Sequence, residues 1–502
     1  MEKKTVYILL GLILLLGLFL RVYQLDHKSL WMDEAFSVHH AGLYDLGSLN
    51  YNVAMTEAAP MGYYVLLHYW MGLFGNSVVA IRLLSVLFGV LSVGLLYLLV
   101  RLFFDVQVGL LASFFMAISM EQVLFSQEAR IYSLFTFLTL LMVYFFARWF
   151  LLLEKESQKK DVKKEWGYFC AYIFTLLIAL YVNYLALLFI FIFSCLLFWR
   201  IGWRREVAFK WIVGHLLLLL MAIPVFVMAR VQFGIINVNL STTLATKQLP
   251  SLLAKLGLFF YVVPILVLIL LVGLLFVNRK MFEKIFFGQE FDWLFLLGLF
   301  SFSLVYLYLC FFPLRLFGIP VFRVPITNSY FLIRHSLFLA PILYVYVSYR
   351  IVHLRSFVAK RMGIIFLVLI SVVALVVYFE TSTKSQWKET AQLVHLNGGD
   401  RPSVLLDRAG ISNEFLWRYY YPWDFDLIRL TWGEGRWSLG QLNETQLNLM
   451  LAGKKDFFVV FSKNEKTAAF YKNYFDSHYT LDLENDFYQI KVYHYTGNST
   501  IS

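Results

Sequence analysis

Two carboxylates stand side by side in Leu30-Trp31-Met32-Asp33-Glu34-Ala35-Phe36-Ser37, just after a long apolar run. Acids at the edge of such a run are costly to keep unless they are solvated or used. Adjacent carboxylates beside an aromatic anchor can take a proton from a hydroxyl nucleophile or hold a polar substrate. The structural alternative is a helix start, where the dipole and open N–H groups favour Asp and Glu in the first turn. A second constellation is Phe125-Ser126-Gln127-Glu128-Ala129-Arg130-Ile131-Tyr132, with an acid and a base in a short segment between apolar runs. It could orient a polar substrate at a membrane surface, or it could be an interfacial salt bridge with Tyr132 as a belt residue. A third is Glu57 followed by Ala58-Ala59-Pro60-Met61-Gly62-Tyr63-Tyr64. Here proline at a helix start is explanation enough for the motif.

The elements that carry these residues are set by composition. The chain has 502 residues, 60% of them hydrophobic and only 15% charged, and its mean hydropathy is +0.69. That is far more apolar surface than a water-soluble core can hide. Apolar runs near 6–23, 78–104, 107–121, 134–153, 167–182, 184–199, 211–229, 251–277, 293–312, 335–349 and 362–379 have about the length a helix needs to cross some 30 Å of hydrocarbon. The fold class is therefore a polytopic α-helical membrane protein with about eleven transmembrane helices. The pair separated by Asn183-Tyr184 reads equally as a hairpin or as one broken helix.

A net charge of +11 is explained by topology better than by nucleic acid, because the cations gather in short loops. With the N-terminus cytoplasmic, the basic loops Lys155 to Lys164, Arg200 to Lys210, Arg279 to Lys284 and Arg350 to Arg361 all fall on the inner side, as the positive-inside rule expects. Met1-Glu2-Lys3-Lys4 and the apolar run after it then read as a retained signal anchor. The same alternation places 24–77, 122–133, 230–250, 313–334 and everything after Phe379 outside. The first outer loop, 24–77, holds a further apolar stretch, Met61 to Phe74, expected as an interfacial helix.

Two domains follow: 1–379 in the membrane, and 380–502 as a small extracytoplasmic α/β domain. In the latter, strand-like Ser403 to Asp407 and Asp456 to Phe461 alternate with helix-like Lys388 to Leu396 and Thr445 to Leu451. Cys170, Cys195 and Cys310 all lie in apolar runs, so they offer no disulfide framework or zinc site. There is no phosphate-cradling glycine loop.

The three constellations, in this order and spacing, resemble the GT-C glycosyltransferases that use polyprenyl-phosphate sugars. The resemblance is to the branch of protein O-mannosyltransferases and lipid A aminoarabinose transferases, similar to glycosyltransferase family 39. Phe74-Gly75-Asn76-Ser77, Arg82-Leu83-Leu84-Ser85, Arg334-His335 and Trp387-Lys388-Glu389-Thr390-Ala391 extend it. It covers most of the chain and is densest from Leu25 to Tyr132. The resemblance implies a GT-C fold and transfer of a hexosyl or pentosyl unit from a lipid-phosphate donor to a lipid, glycan or protein acceptor, at the outer face of the cytoplasmic membrane and with inversion. It makes Asp33 the catalytic base with Glu34 beside it, and gives Glu128 a catalytic or metal-holding place. Arg130 and Arg334 become candidates for the leaving phosphate, and Tyr63 and Tyr132 for substrate contact. A divalent metal would draw on Glu57, Glu128 or His335; no nucleotide is implied. Ala58 and Ala59 stand where many relatives have a polar residue before the proline, which weakens transfer of a metal or phosphate contact to that loop. The alternative from another class is a transporter or flippase of a lipid-linked sugar, which would favour ionisable residues at mid-membrane.

Overall fold

The computed structural model describes residues 2–154, 161–201, 204–232, 234, 314–316, 319–322, 334, 337–381, 384–406, 411–432, 440–462 and 465–497. The expected spans at 251–277 and 293–312, the basic loop at 279–284 and most of the expected loops at 230–250 and 313–334 lie outside the described residues. The chain divides into two compact units. One comprises Met1–Tyr23, Leu43–Gly75 and Ala80–Val377; the other comprises Gln24–Gly42, Asn76–Val79 and Tyr378–Ser502.

In chain order the first half forms α1 (Lys3–Val22), α2 (Met32–Ala41), α3 (Leu46–Thr56), α4 (Gly62–Phe74), α5 (Val78–Val100), α6 (Val106–Ile118), α7 (Met120–Ser126), α8 (Ile131–Glu154), α9 (Val162–Val182), α10 (Leu187–Ile201), α11 (Arg205–Met221) and α12 (Ile223–Gln232). A short strand pair, β1 (Leu314–Leu316) and β2 (Ile319–Phe322), precedes α13 (Ala340–Val352) and α14 (Phe357–Glu380). Among the described residues, α1, α5, α8, α9 and α14 are each long and apolar enough to cross a membrane.

Two expected spans are broken instead of straight. The pair α6 and α7 bends by 58°, and the pair α11 and α12 by 55°. Much of the outer loop expected at 122–133 is consequently helix, and only 127–130 remains a turn. The first break falls at Ser119, whose backbone is extended at φ −68° and ψ 124°. At the ambiguous Asn183 the chain is also extended, and the side chain caps the next turn by accepting from Leu185 N at 3.0 Å. A broken path, not a continuous helix, therefore joins α9 to α10.

The membrane unit packs around aromatic rings contributed by four helices. Phe146 stacks on Phe193 at 4.1 Å, and Trp211 stacks on both Trp149 and Tyr172 at 5.9 and 5.6 Å. A second core joins α5, α6 and α13 through Val93, Leu96, Val108, Phe115, Met116 and Val347. The expected interfacial helix is α4, and its first residue explains its glycine. A Cβ at Gly62 would lie 2.5 Å from the carbonyl oxygen of Tyr181.

The other unit contains a small α/β fold: α15 (Trp387–Asn397), β3 (Ser403–Leu406), α16 (Ile411–Tyr420), β4 (Asp426–Arg429), β5 (Thr431–Trp432), β6 (Gly440–Gln441), α17 (Glu444–Leu451), β7 (Asp456–Ser462), α18 (Glu465–His478), β8 (Thr480–Phe487) and β9 (Ile490–Thr496). Five strands form one sheet in the order β4-β3-β7-β9-β8. β3 runs parallel to β4 and β7, and β9 runs antiparallel to β7 and β8. β7, Asp-Phe-Phe-Val-Val-Phe-Ser, is buried through its middle, as a central strand covered on both faces must be. Phe457, Val459 and Phe461 meet Tyr471, Phe475, Tyr493 and Tyr495 in its core.

Candidate functional site

Asp33 and Glu34 occupy the first turn of α2. The helix starts there because Trp31 is extended and Glu34, three residues on, accepts the Trp31 N–H at 3.4 Å. The two carboxylates differ sharply. Glu34 is fully buried, and its Oε2 lies 2.8 Å from Lys384 Nζ, the side chains being 0% and 7% exposed. Asp33 is half-buried, and Ser37 Oγ donates to its carbonyl at 3.1 Å.

The segment around them is tied to the C-terminal part of its own unit. Leu30 N donates to Tyr420 Oη at 2.6 Å, Ser29 Oγ donates to Glu389 Oε2 at 3.3 Å, and Lys388 N donates to Ser29 Oγ at 3.1 Å. Lys28 Nζ donates to the Tyr378 carbonyl and lies over that ring at 3.7 Å. The Trp387 to Ala391 motif thereby acquires a physical reason: it builds the helix start that Ser29 bonds. Lys384 and Tyr420 were invisible to sequence reasoning, since neither belongs to a motif. His39, on the same helix, meets the edge of Phe415 at 5.7 Å, and burial lowers its pKa below the ordinary 6.5.

In the membrane unit, Glu57 caps the end of α3 and the 58–61 turn leads into α4. The turn is pinned by Gln232, which donates to the Val53 and Ala59 carbonyls at 3.3 and 3.0 Å and accepts from Tyr184 Oη at 2.6 Å. No motif announced Gln232. Arg130 Nη1 and Nη2 each lie 3.2 Å from one oxygen of Glu57, a two-pronged pair with side chains only 7% and 8% exposed. Arg130 Nη1 also reaches Tyr64 Oη at 3.3 Å. Burial raises the Tyr64 phenol well above its usual range, and Arg130 offsets only part of that rise. The backbone around Arg130 is a tight turn: Arg130 N donates to Glu128 O at 2.8 Å.

Among the other residues singled out from the sequence, Tyr63 is fully buried with its ring 5.7 Å from Tyr64, and Tyr132 packs on Phe125 at 5.1 Å. Glu128 is 1% exposed. Arg334 is half-buried, and His335 lies outside the described residues. Among the described residues no three His, Cys, Asp or Glu side chains gather as a metal-binding group. Glu57 has both oxygens engaged by Arg130, so as placed it does not fit as a metal ligand.

Residues 57–228 match the model of the dolichyl-phosphate-mannose-protein mannosyltransferase family. The fold is similar to that of ArnT from Cupriavidus metallidurans in its apo state, with a TM-score of 0.53, 13% identity and 98% of each chain covered. It is similar to the same enzyme bound to undecaprenyl phosphate at a TM-score of 0.52, 12% identity and the same 98% coverage of both chains. The family match covers residues 57–228 of the 502, and the likeness to ArnT is one of fold. None of the curated proteins matches it in sequence.

Its long apolar helices make it an integral membrane protein, and the family-matched segment begins at Glu57 and includes the Arg130 turn. The two constellations offer distinct chemistry. Asp33 is a carboxylate in the first turn of α2, partly reached by solvent, which suits proton acceptance. Arg130 is a planar cation held in one orientation, which suits an oxyanion. Glu34, already bonded to Lys384, holds the first turn of α2 in place.

Proposed function

We propose that this protein is a GT-C glycosyltransferase of the ArnT and protein mannosyltransferase branch, which takes its sugar from a polyprenyl-phosphate donor and transfers it to a hydroxyl acceptor at the outer face of the cytoplasmic membrane. The reading is carried by one observation: the family match over residues 57–228 encloses a buried arginine, Arg130, fixed by Glu57 and Tyr64. The structure of ArnT with undecaprenyl phosphate supports a lipid-phosphate leaving group. In this proposal the N-terminus is cytoplasmic and residues 380–502 lie outside the cytoplasm, in keeping with the basic loops.

In the proposed step the acceptor oxygen attacks the anomeric carbon as its proton passes to Asp33. The bond from that carbon to the phosphate oxygen breaks, and the lipid phosphate leaves with the electron pair. Attack from the side opposite the leaving group inverts the anomeric centre. Arg130 meets the charge that develops on the phosphate, where a fixed donor is worth most. Glu57 keeps the guanidinium oriented before the donor arrives, and Tyr63 and Tyr132 wall the same segment. Glu128 and Arg334 are proposed as further donor-side groups. A divalent metal, should the enzyme use one, would add positive charge at the phosphate, with Glu128 and His335 as the remaining ligand candidates.

The test is transfer of labelled sugar from a panel of synthetic polyprenyl-phosphate donors into membranes holding equal amounts of wild type or Asp33→Asn. Loss of about 10²- to 10⁴-fold in rate is expected for the variant. Equal incorporation by both would remove Asp33 from the role of base. Movement of labelled lipid-linked sugar across sealed vesicles by wild type, with no transfer from any donor, would replace the enzyme reading by the transporter one.

A further inference from the structure

Among the described residues, Arg21 is a fully buried charge that the proposed reaction leaves without a task. Arg21, in the last turn of α1, is 0% exposed. Its Nη1 donates to Gly17 O at 3.0 Å and to Ala117 O at 3.1 Å, Nη2 donates to Met116 O at 3.3 Å, and Nε donates to Ser126 Oγ at 3.2 Å. Met116 and Ala117 lie in the final turn of α6, where the break at Ser119 deprives carbonyls of the helical N–H groups that would otherwise follow. The guanidinium supplies those donors.

The service is returned. Gln127, just after α7, donates through Nε2 to the carbonyls of Leu20, Arg21 and Tyr23 at 3.5, 3.1 and 2.8 Å. The end of α1 therefore caps α6, and the residue after α7 caps the end of α1. Space for this is made by two glycines. A Cβ at Gly89 would meet Ser126 Oγ at 2.2 Å and Arg21 Nε at 2.9 Å, and one at Gly17 would touch Arg21 Nη1 at 3.4 Å. Ser126 is further fixed by donating to Gln122 O at 2.6 Å. Residues 126 and 127 run directly into Glu128, Ala129 and Arg130.

We infer that Arg21 is a positioning residue: by capping α6 and bonding the Ser126 hydroxyl of α7 from the end of α1, it fixes the turn that presents Arg130 and Glu128 to the donor phosphate. The clamp stands on the backbone geometry alone; only its consequence for the donor rests on the lipid-phosphate reading. Arginine is required because its donors spread over a rigid plane and it stays charged, whereas a lysine offers three donors from one point.

The experiment compares full-length wild type with Arg21→Gln, Arg21→Lys and the milder Ser126→Ala, using hydrogen exchange of residues 116–132, thermal unfolding and steady-state kinetics with the donor panel. In Arg21→Gln, exchange in 119–130 should rise and donor KM increase by about tenfold each, the equivalent of one charge-assisted hydrogen bond. Exchange in α8 and α9 should stay at wild-type level and kcat within about threefold. Arg21→Lys should restore little, and Ser126→Ala should move both readouts the same way by a few-fold; it keeps the test intact if Arg21→Gln fails to fold. Wild-type exchange in Arg21→Gln, or full rescue by Arg21→Lys, overturns the clamp. Raised exchange with unchanged donor KM overturns the positioning role. Absence of turnover by wild type with every donor removes the lipid-phosphate reading and the positioning role with it, while exchange still decides the clamp.

Discussion

Among the described residues, each unit holds a carboxylate–cation pair with both side chains less than 10% exposed, and the two are built differently. Glu34 meets Lys384 through a single oxygen at 2.8 Å, with the carboxylate fully enclosed. Glu57 meets Arg130 through both oxygens at 3.2 Å, and the arginine keeps a second neighbour in Tyr64, by a hydrogen bond and with the ring 6.0 Å away. The first arrangement fastens residues from opposite ends of the chain, 350 positions apart, within one unit. The second holds a cation ready while leaving it an alternative partner. A buried ammonium concentrates its charge at one point toward its counter-ion, whereas a planar, weakly hydrated guanidinium can be shared. The first pair thus reads as structure and the second as a holder for a working group.

The largest effect should come from breaking the first pair. Glu34→Ala leaves the Lys384 ammonium buried without its carboxylate, which costs about 3–5 kcal/mol. Expected is a marked fall in the thermal stability of the purified protein, together with faster exchange in α2 and α15. The charge-free double variant Glu34→Leu/Lys384→Met should recover most of that loss, since a buried pair is often replaceable by apolar residues of similar volume. A single variant as stable as wild type would place the pair in water and collapse the contrast.

Glu57→Ala tests the other side and should cost less, about 1–3 kcal/mol, because Arg130 retains Tyr64. Its signature is kinetic. The freed arginine loses its fixed orientation, so donor KM should rise while global unfolding shifts only slightly. Adding Tyr64→Phe should make the two losses exceed their sum, and a double-mutant cycle measures the excess. Additive losses would mean that Tyr64 gives the arginine no second support.

How far the sequence disclosed these features follows from the range over which each acts. Apolar length is local, so every expected span that falls on described residues appears as helix, and α4 lies where the interfacial helix was expected. The strands at Ser403 and Asp456 and the helices around Lys388 and Thr445 were legible for the same reason. The break at Ser119 was not, because no proline or glycine stands near it; the break at Ala222 had a local sign in Pro224, whose ring disrupts the preceding helical turn. What permits the first break is Arg21, nearly a hundred residues away, and spacing cannot register such a cap. The acid–base motif at Glu128 and Arg130 suggested a local partnership. The structure instead pairs Arg130 with Glu57, 73 positions earlier. Likewise the helix-start alternative for Asp33 and Glu34 describes their backbone correctly, but the sequence held no sign that Lys384 would separate their roles.

The smallest expected effect concerns pH and sharpens the Glu34 side, because His39 shares α2 with that residue. Burial against Phe415 holds the folded-state pKa of His39 below 6.5, while in the unfolded chain it titrates near that value. As pH falls from above 6.5 to the lowered folded value, the unfolded chain takes up a proton that the folded unit does not, so stability drops across that window and levels off beneath it. Replacing His39 by Gln should flatten the fall of the thermal midpoint between about pH 8 and pH 5 without changing the plateau above pH 7 by much. Any slope that survives in His39→Gln then belongs to other groups of the same unit. An unchanged slope would show that the α2 ring reaches water freely, and that the dry environment around Glu34 ends before the next turn of the helix.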